Sequence, residues 1–158
     1  MTKYWRRWVQ LIQSEFEIIV RPAAKWNITA NYAYVDGSIQ TKTSGPIVKD
    51  TSYYNLYRRP KNTLSATIDF QASKQFFTSI GFRAVGKRDD LFFNSNTFAT
   101  EPKELKAYYN LDFYASYQPI ASIKIFADLR NITDQEYFDQ YGYNNRRFNF
   151  MAGAIFNF

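Results

Sequence analysis

The sequence predicts an all-β fold: an antiparallel transmembrane β-barrel segment of about seven strands, with short periplasmic turns and long extracellular loops. Three features predict it. Oily and mixed residues alternate with period two in stretch after stretch, connections are short and long by turns, and aromatic rings gather at both ends of the oily rows.

The strands follow in order. Glu15 to Val20 is the weakest. Residues 25–35 put Trp26, Ile28, Ala30, Tyr32 and Tyr34 on one face, and residues 63–71 do the same with Leu64, Ala66, Ile68 and Phe70. Residues 75–86 align Phe76, Thr78, Ile80, Phe82 and Ala84. Next come 107–118, with Ala107, Tyr109, Leu111, Phe113, Ala115 and Tyr117, and 122–131, with Ile123, Ile125, Ala127 and Leu129. The last row is Phe148, Phe150, Ala152, Ala154, Phe156 and Phe158. In the six clear strands these rows hold 30 residues, 29 of them apolar or aromatic, with Thr78 the exception. None is charged, whereas the opposite rows carry Asp69, Arg83, Asp112, Lys124, Asp128, Arg130 and Arg147.

A lipid-facing row must exclude charge, because Arg or Lys at the midplane of a membrane barrel costs about 2–4 kcal/mol. The core-facing row of a soluble sandwich excludes charge too, so alternation alone leaves a soluble ligand-binding β-barrel open. Connections and rings favour the membrane. Arg21 to Lys25, Ala72 to Lys74 and Pro119 to Ala121 are short, while Asp36 to Pro60, Lys87 to Lys106 and Ile132 to Arg146 are long. Short turns at one end and long loops at the other are the habit of an outer-membrane barrel. On the oily rows Trp26, Phe70, Phe76, Tyr117 and Phe158 fall at the short-turn end, and Tyr34, Phe82, Tyr109 and Phe148 toward the long loops. Ala30, Ala66, Ile68, Leu111, Ala152 and Ala154 lie between, which makes two aromatic belts around an aliphatic band.

Composition narrows the chemistry. The 158 residues include no His and no Cys, which removes disulfides, Cys/His zinc sites and every Ser-His or Cys-His relay. No catalysis, cofactor or metal is expected. Mean hydropathy is -0.45 and no apolar run reaches 18 residues, so no helix crosses a membrane. Twenty basic against 14 acidic side chains leave a net charge of +6, and 31 of the 158 residues are aromatic. Tyr57-Arg58-Arg59 and Arg146-Arg147-Phe148 therefore raise a single-stranded nucleic-acid-binding β-domain as an alternative. Stacking platforms need rings open to water, and these rows alternate toward lipid, so no nucleic acid is expected as a partner. Asp89, Asp90, Glu101 and Glu104 share one long loop without the spacing of a calcium loop and read as solvated carboxylates. Asp112 and Asp128 read as members of a lumenal network with Lys124, Arg130 and Arg83 rather than as a hydrolytic pair.

The C-terminal stretch carries Asn131-Ile132-Thr133-Asp134, then Tyr137, then a loop with Gly142, Arg146 and Arg147, then the alternating strand that closes on Phe158. It resembles the C-terminal end of TonB-dependent outer-membrane receptors. Tyr32, Tyr34 and Asp36, followed by Arg59-Pro60-Lys61-Asn62, resemble a hairpin of the same family, in which His is usual where Asn62 stands. The resemblance covers residues 15–158 and implies uptake of a large nutrient, such as a ferric siderophore, haem or cobalamin, across the outer membrane of a Gram-negative bacterium. It also implies a barrel of about 22 strands with a plugged lumen, of which this chain would be the last third. The implied partners are outer-membrane lipid, the N-terminal barrel strands and plug of the same receptor, the barrel-assembly machinery, and TonB through the N-terminal part only. The chain is not expected to transport alone.

Candidate ligand contacts lie in the long loops: Tyr53, Tyr54, Tyr57 and Arg58; Phe92, Phe93 and Phe98; Tyr137, Tyr141, Tyr143 and Arg146. Rings and Arg suit the apolar and anionic faces of such nutrients. Arg59, Pro60, Asn131, Asp134 and Tyr137 carry the family motif, and Phe148, Phe150, Phe156 and Phe158 resemble the assembly signal of a barrel substrate. Residues 14–158 read as receptor barrel. Residues 1–13 read as foreign to it, as at a truncation junction, with Trp5, Trp8 and Ile12 at the spacing of a surface helix as the alternative.

Overall fold

The computed structural model describes residues 7–42, 50–53 and 56–157, with side chains described for 9–38 and 56–157. Among the described residues ten strands form: β1 (Arg7–Val20), β2 (Trp26–Lys42), β3 (Asp50–Tyr53), β4 (Asn62–Gln71), β5 (Phe76–Val85), β6 (Arg88–Asn94), β7 (Ala99–Leu105), β8 (Tyr108–Ile120), β9 (Ile123–Arg130) and β10 (Asn149–Phe156). Seven make one meander in the order β1-β2-β4-β5-β8-β9-β10, β3 pairs β2, and β6 and β7 form a separate hairpin. Every pairing is antiparallel.

The seven strands of the meander are the seven that alternation predicts. β3, β6 and β7 are additions: the stretches Asp36 to Pro60 and Lys87 to Lys106 were expected as loops and contain strands instead. None of the three has a long alternating oily row in its sequence, so alternation does not mark them. β1 begins at Arg7, so its ladder crosses the boundary expected at residue 13, and Trp8 and Ile12 sit in a strand rather than a surface helix. Trp5 lies outside the described residues.

Register decides which side chains share a face, since a slip by one would turn a whole strand over. Ile28 stands opposite Ile68, Ile68 opposite Ile80, and Ile80 opposite Phe113. Ala115 stands opposite Ala127, and Ala127 opposite Ala152. Phe16, Ile18 and Val20 of β1 fall opposite Tyr32, Ala30 and Ile28. The oily rows of all seven strands therefore coincide on one face. One register shift, between Tyr117 and Ile120 beside Pro119, bends β8 at its end without inverting the row.

Burial is inverted relative to a water-soluble sheet. Tyr117 on the oily face is 45% exposed, while its neighbour Ser116 on the polar face is 6% exposed. Ile68, Ile80, Ile125 and Phe150 are also exposed, and Leu111 is half-buried. Among the described residues the only fully buried apolar side chains are Val85, Leu105 and Tyr108, at the base of the long connections. There is thus no dry interior between oily rows, as a soluble barrel would need. Three short connections (21–25, 72–75 and 121–122) lie at one end of the sheet, and the three long ones (43–61, 86–107 and 131–148) lie at the other. Belt rings meet across the ladders: Trp26 stacks on Phe70 at 4.3 Å near the short turns, and Phe82 on Tyr109 at 6.2 Å near the long connections.

Candidate functional site

The long connections converge above one end of the sheet, and one carboxylate joins them. Asp90 of β6 is 1% exposed. Its Oδ1 accepts from Arg58 Nε at 2.6 Å and from the Leu91 amide at 2.8 Å, and its Oδ2 accepts from the Tyr141 amide at 2.8 Å. The Arg58 amide donates to the Asp89 carbonyl at 2.7 Å, so side chain and backbone bind the first connection to the hairpin. Arg58 holds a φ of 63°, a left-handed conformation that costs a non-glycine residue about 1–3 kcal/mol and persists where surrounding bonds enforce it. Burial pushes the Asp90 carboxyl up, but the Tyr141 amide, the Arg58 guanidinium and the Leu91 amide outweigh it, and the group sits below the ordinary value of 3.8.

A second node lies beside it. Arg88, also buried, donates through Nη2 to Asp139 Oδ1 at 2.9 Å and to the Phe138 carbonyl, and its guanidinium lies 5.2 Å from the Tyr108 ring centroid. Tyr108 donates its hydroxyl to Asp139 at 3.0 Å and stacks on Tyr137 at 4.0 Å. The third node folds the last connection. Asn131 is buried at a φ of 51°; its side chain accepts from the Gln135 amide at 2.9 Å and donates to the Gln135 carbonyl at 2.9 Å. Its own amide donates to Asp112 Oδ1 at 2.8 Å. Asp134 holds Arg147 in a two-pronged pair at 2.7 and 2.9 Å and accepts from the Phe148 amide at 2.9 Å, which sets the start of β10.

The sequence-predicted ligand residues divide accordingly. Arg58 and Tyr137 are committed to packing loop against loop. Tyr57 is half-buried at the base of the first connection. Arg146 contributes its carbonyl to Asn131 at 3.4 Å. Phe92 meets the edge of Tyr141 at 5.0 Å, and Lys103 lies 5.3 Å over the same ring. Phe93 and Phe98 form an edge-to-face pair at 6.3 Å on the tip of the β6–β7 hairpin, with Phe98 82% exposed. Tyr143 projects from a tight turn in which Gly142 takes a φ of 84°. Among the described residues the exposed rings of the long connections, Phe148 of the oily row apart, are Phe93, Phe98, Tyr141 and Tyr143, two on each of two connections. The Tyr53 side chain and all of Tyr54 lie outside the described residues, as does Phe158. Phe148, Phe150 and Phe156 stand exposed on the oily face.

The loop carboxylates go to separate partners: Asp90 to Arg58, Glu101 to Lys103 at 2.8 Å, and Glu104 to Lys87 at 3.1 Å. On the polar face Arg130 bridges Asp112 and Asp128 at 3.2 and 2.7 Å, while Lys124 turns to the Tyr114 ring, 6.0 Å away. The network expected there is thus centred on Arg130.

Solved structures with the same arrangement are receptors. The ferripyoverdine receptor of the outer membrane of Pseudomonas aeruginosa, bound to ferripyoverdine, superposes with a TM-score of 0.72 at 20% identity, over 95% of this chain and 20% of that one. The siderophore receptor PiuA from Acinetobacter baumannii gives 0.66 at 19% identity, over 93% and 22%. The ferric-catecholate import receptor Fiu from E. coli K12 gives 0.58 at 12% identity, over 95% and 28%. The chain spans 20 to 28% of the length of these proteins. A comparison with curated proteins finds no match. The family model for the β-barrel of TonB-dependent receptor-like proteins matches residues 14–132, well over half of the chain. Inverted burial, one-sided long connections and this match agree, and the chain belongs to the TonB-dependent receptor β-barrels of the Gram-negative outer membrane.

Proposed function

We propose that the chain is a barrel portion of a receptor for a ferric siderophore, with haem and cobalamin as the other cargoes of this class, and that the joined long connections present its ligand-contact surface. The observation that carries the proposal is the convergence of the three connections on Asp90 and Arg88, with exposed rings on two of them. The named cargoes of the solved relatives favour a ferric siderophore. Phe93, Phe98, Tyr141 and Tyr143 offer apolar and stacking contact, and Arg146 offers charge. TonB coupling belongs to a plug and a TonB-contacting segment of the receptor, and the barrel-assembly machinery is the partner for the ringed face of β10. The portion itself performs no chemistry.

The test is binding. In detergent micelles, a ferric siderophore should quench the intrinsic fluorescence of the chain saturably, and Phe98→Ser with Tyr143→Ala should weaken the affinity about tenfold. Saturable binding that is unchanged in the double variant, or no saturable binding of siderophore, haem or cobalamin, would overturn the assignment.

A further inference from the structure

The two borders of the main sheet differ. Among the described residues β1 pairs only with β2 and β10 only with β9, so each leaves one side of its backbone ladder open. In hydrocarbon an open ladder costs several kcal/mol per unmet group, and an added strand meets the whole row of donors and acceptors at once. The oily row of β1, with Phe16, Ile18 and Val20 exposed, is that of a strand at membrane depth.

The other row of β1 says what kind of strand fits. Glu15 and Glu17 stand opposite Ala33 and Asn31 on the polar face, and both are exposed. Glu15 accepts from Gln13 Nε2 at 2.6 Å, and neither carboxylate meets a cation among the described residues. Register shows why. Arg83 shares the cross-sheet row of Glu17 through Asn31 and Ser65, but three strand spacings, about 14 Å, separate the two backbones. Arg21 lies four residues beyond Glu17, about 13 Å along an extended chain, and its Nε donates to Asn27 at 3.2 Å. The polar row of β10 holds Asn149, Met151, Gly153 and Ile155 and carries no charge.

We propose that the open side of β1 is a docking edge for a membrane-embedded strand that runs antiparallel to it, with an apolar row toward lipid and Lys or Arg opposite Glu15 and Glu17. Opposite charges on facing positions of neighbouring strands attract, and like charges repel. A second copy of this chain does not fit. β1 and β10 are the first and seventh strands of an antiparallel meander and run the same way, so a copy inserted the same way up offers β10 in parallel, with neutral residues toward the carboxylates. Its β1 runs antiparallel only if the copy is inverted in the bilayer, and then brings its own Glu15 and Glu17 to the same face. The inference rests on the membrane-facing assignment and not on the identity of the cargo.

Two synthetic strands of about ten residues test it in non-ionic micelles, alike in an apolar row of Leu and Tyr and carrying either Lys or Glu at the centre of the other row. One Lys strand should bind per chain, at least tenfold more tightly than the Glu strand. Glu15→Gln with Glu17→Gln should bring the two strands within about twofold of each other. Both side chains are exposed, so the sheet amides of that variant should keep their hydrogen-exchange protection. A nitroxide at the N-terminus of the Lys strand should broaden the amide signals of Ile19 and Val20, and one at its C-terminus those of Val9 and Leu11. Equal affinity for the two strands, binding of neither, a preference for Lys that survives the double substitution, or the reverse pattern of broadening would overturn the proposal. So would a β1 edge that closes by self-association of the chain. None of these readouts depends on siderophore binding, so failure here is distinct from failure of the proposed function.

Discussion

Asp90 shows how one side chain organises a surface made of distant sequence. Its partners Arg58 and Tyr141 are 32 and 51 residues away. Replacing it by Ala removes bonds to a charged acceptor, each worth about 1.5–3 kcal/mol. Asp90→Ala should therefore free the last connection from the hairpin, seen as loss of hydrogen-exchange protection at the Tyr141 amide while the sheet amides keep theirs. The pH dependence has a definite sign. Because the folded carboxyl titrates below its ordinary 3.8, its contribution is complete above that value and is lost as pH falls through the lower folded one. Protection at Tyr141 should thus be flat down to about pH 5 and decline only in stronger acid. A decline near neutrality would contradict the clasp. In the sequence Asp90 reads as a solvated loop carboxylate, because nothing local marks a partner in another connection. Asn131 and Asp134, by contrast, were legible as a motif through the family resemblance; Asn131 bonds Gln135 within the turn, while Asp134 reaches on to Arg147 and Phe148. Their role in folding that turn needed the coordinates. Asn131→Ala should cost about 2–3 kcal/mol, through a left-handed residue without its own bonds and a half-buried Gln135 amide without its acceptor, measured by denaturant unfolding in micelles.

Strands are where the sequence was most readable. Alternation located the seven strands of the meander because each carries a long oily row, and a two-residue period survives every detail of loop geometry. β6 and β7 escaped because the side chains they bury are mostly charged, Arg88 and Asp90 among them, and β7 contains Pro102, so neither an oily row nor propensity marks them. Two strand-level outcomes test the faces. Ile68→Arg should destabilise the sheet in micelles by about 2–4 kcal/mol, while Thr67→Arg on the polar face should cost far less. The second concerns Gly153, over which the Phe126 ring of the neighbouring strand lies; a Cβ there would stand 2.8 Å from two ring atoms. Gly153→Val should cost about 1–3 kcal/mol by displacing the ring, and much less in a Phe126→Ala background. Ala152→Val, on the lipid-facing side, should be nearly neutral. Equal costs for Gly153→Val in both backgrounds would show that the ring is not the obstacle.

At the scale of the molecule, ten strands enclose almost no apolar core, and the exposed rings and aliphatics make sense only against hydrocarbon. A sheet of this kind satisfies its backbone through strand ladders and its oily face through lipid. The fold class was legible because the bilayer imposes a pattern on sequence: charge on one row, rings at two depths, connections long on one side. The geometry of the joined long connections was not, because loops answer to partners that are distant in sequence. The measurement that tests the account most directly is accessibility of spin labels placed singly at positions 68, 111 and 154 and at 67, 112 and 155, with the chain in lipid bilayers. The account predicts that labels at 68, 111 and 154 collide with oxygen and not with a water-soluble nickel complex, and that the neighbours show the reverse. Labels at 68, 111 and 154 shielded from both reagents, or open to the nickel complex, would contradict it.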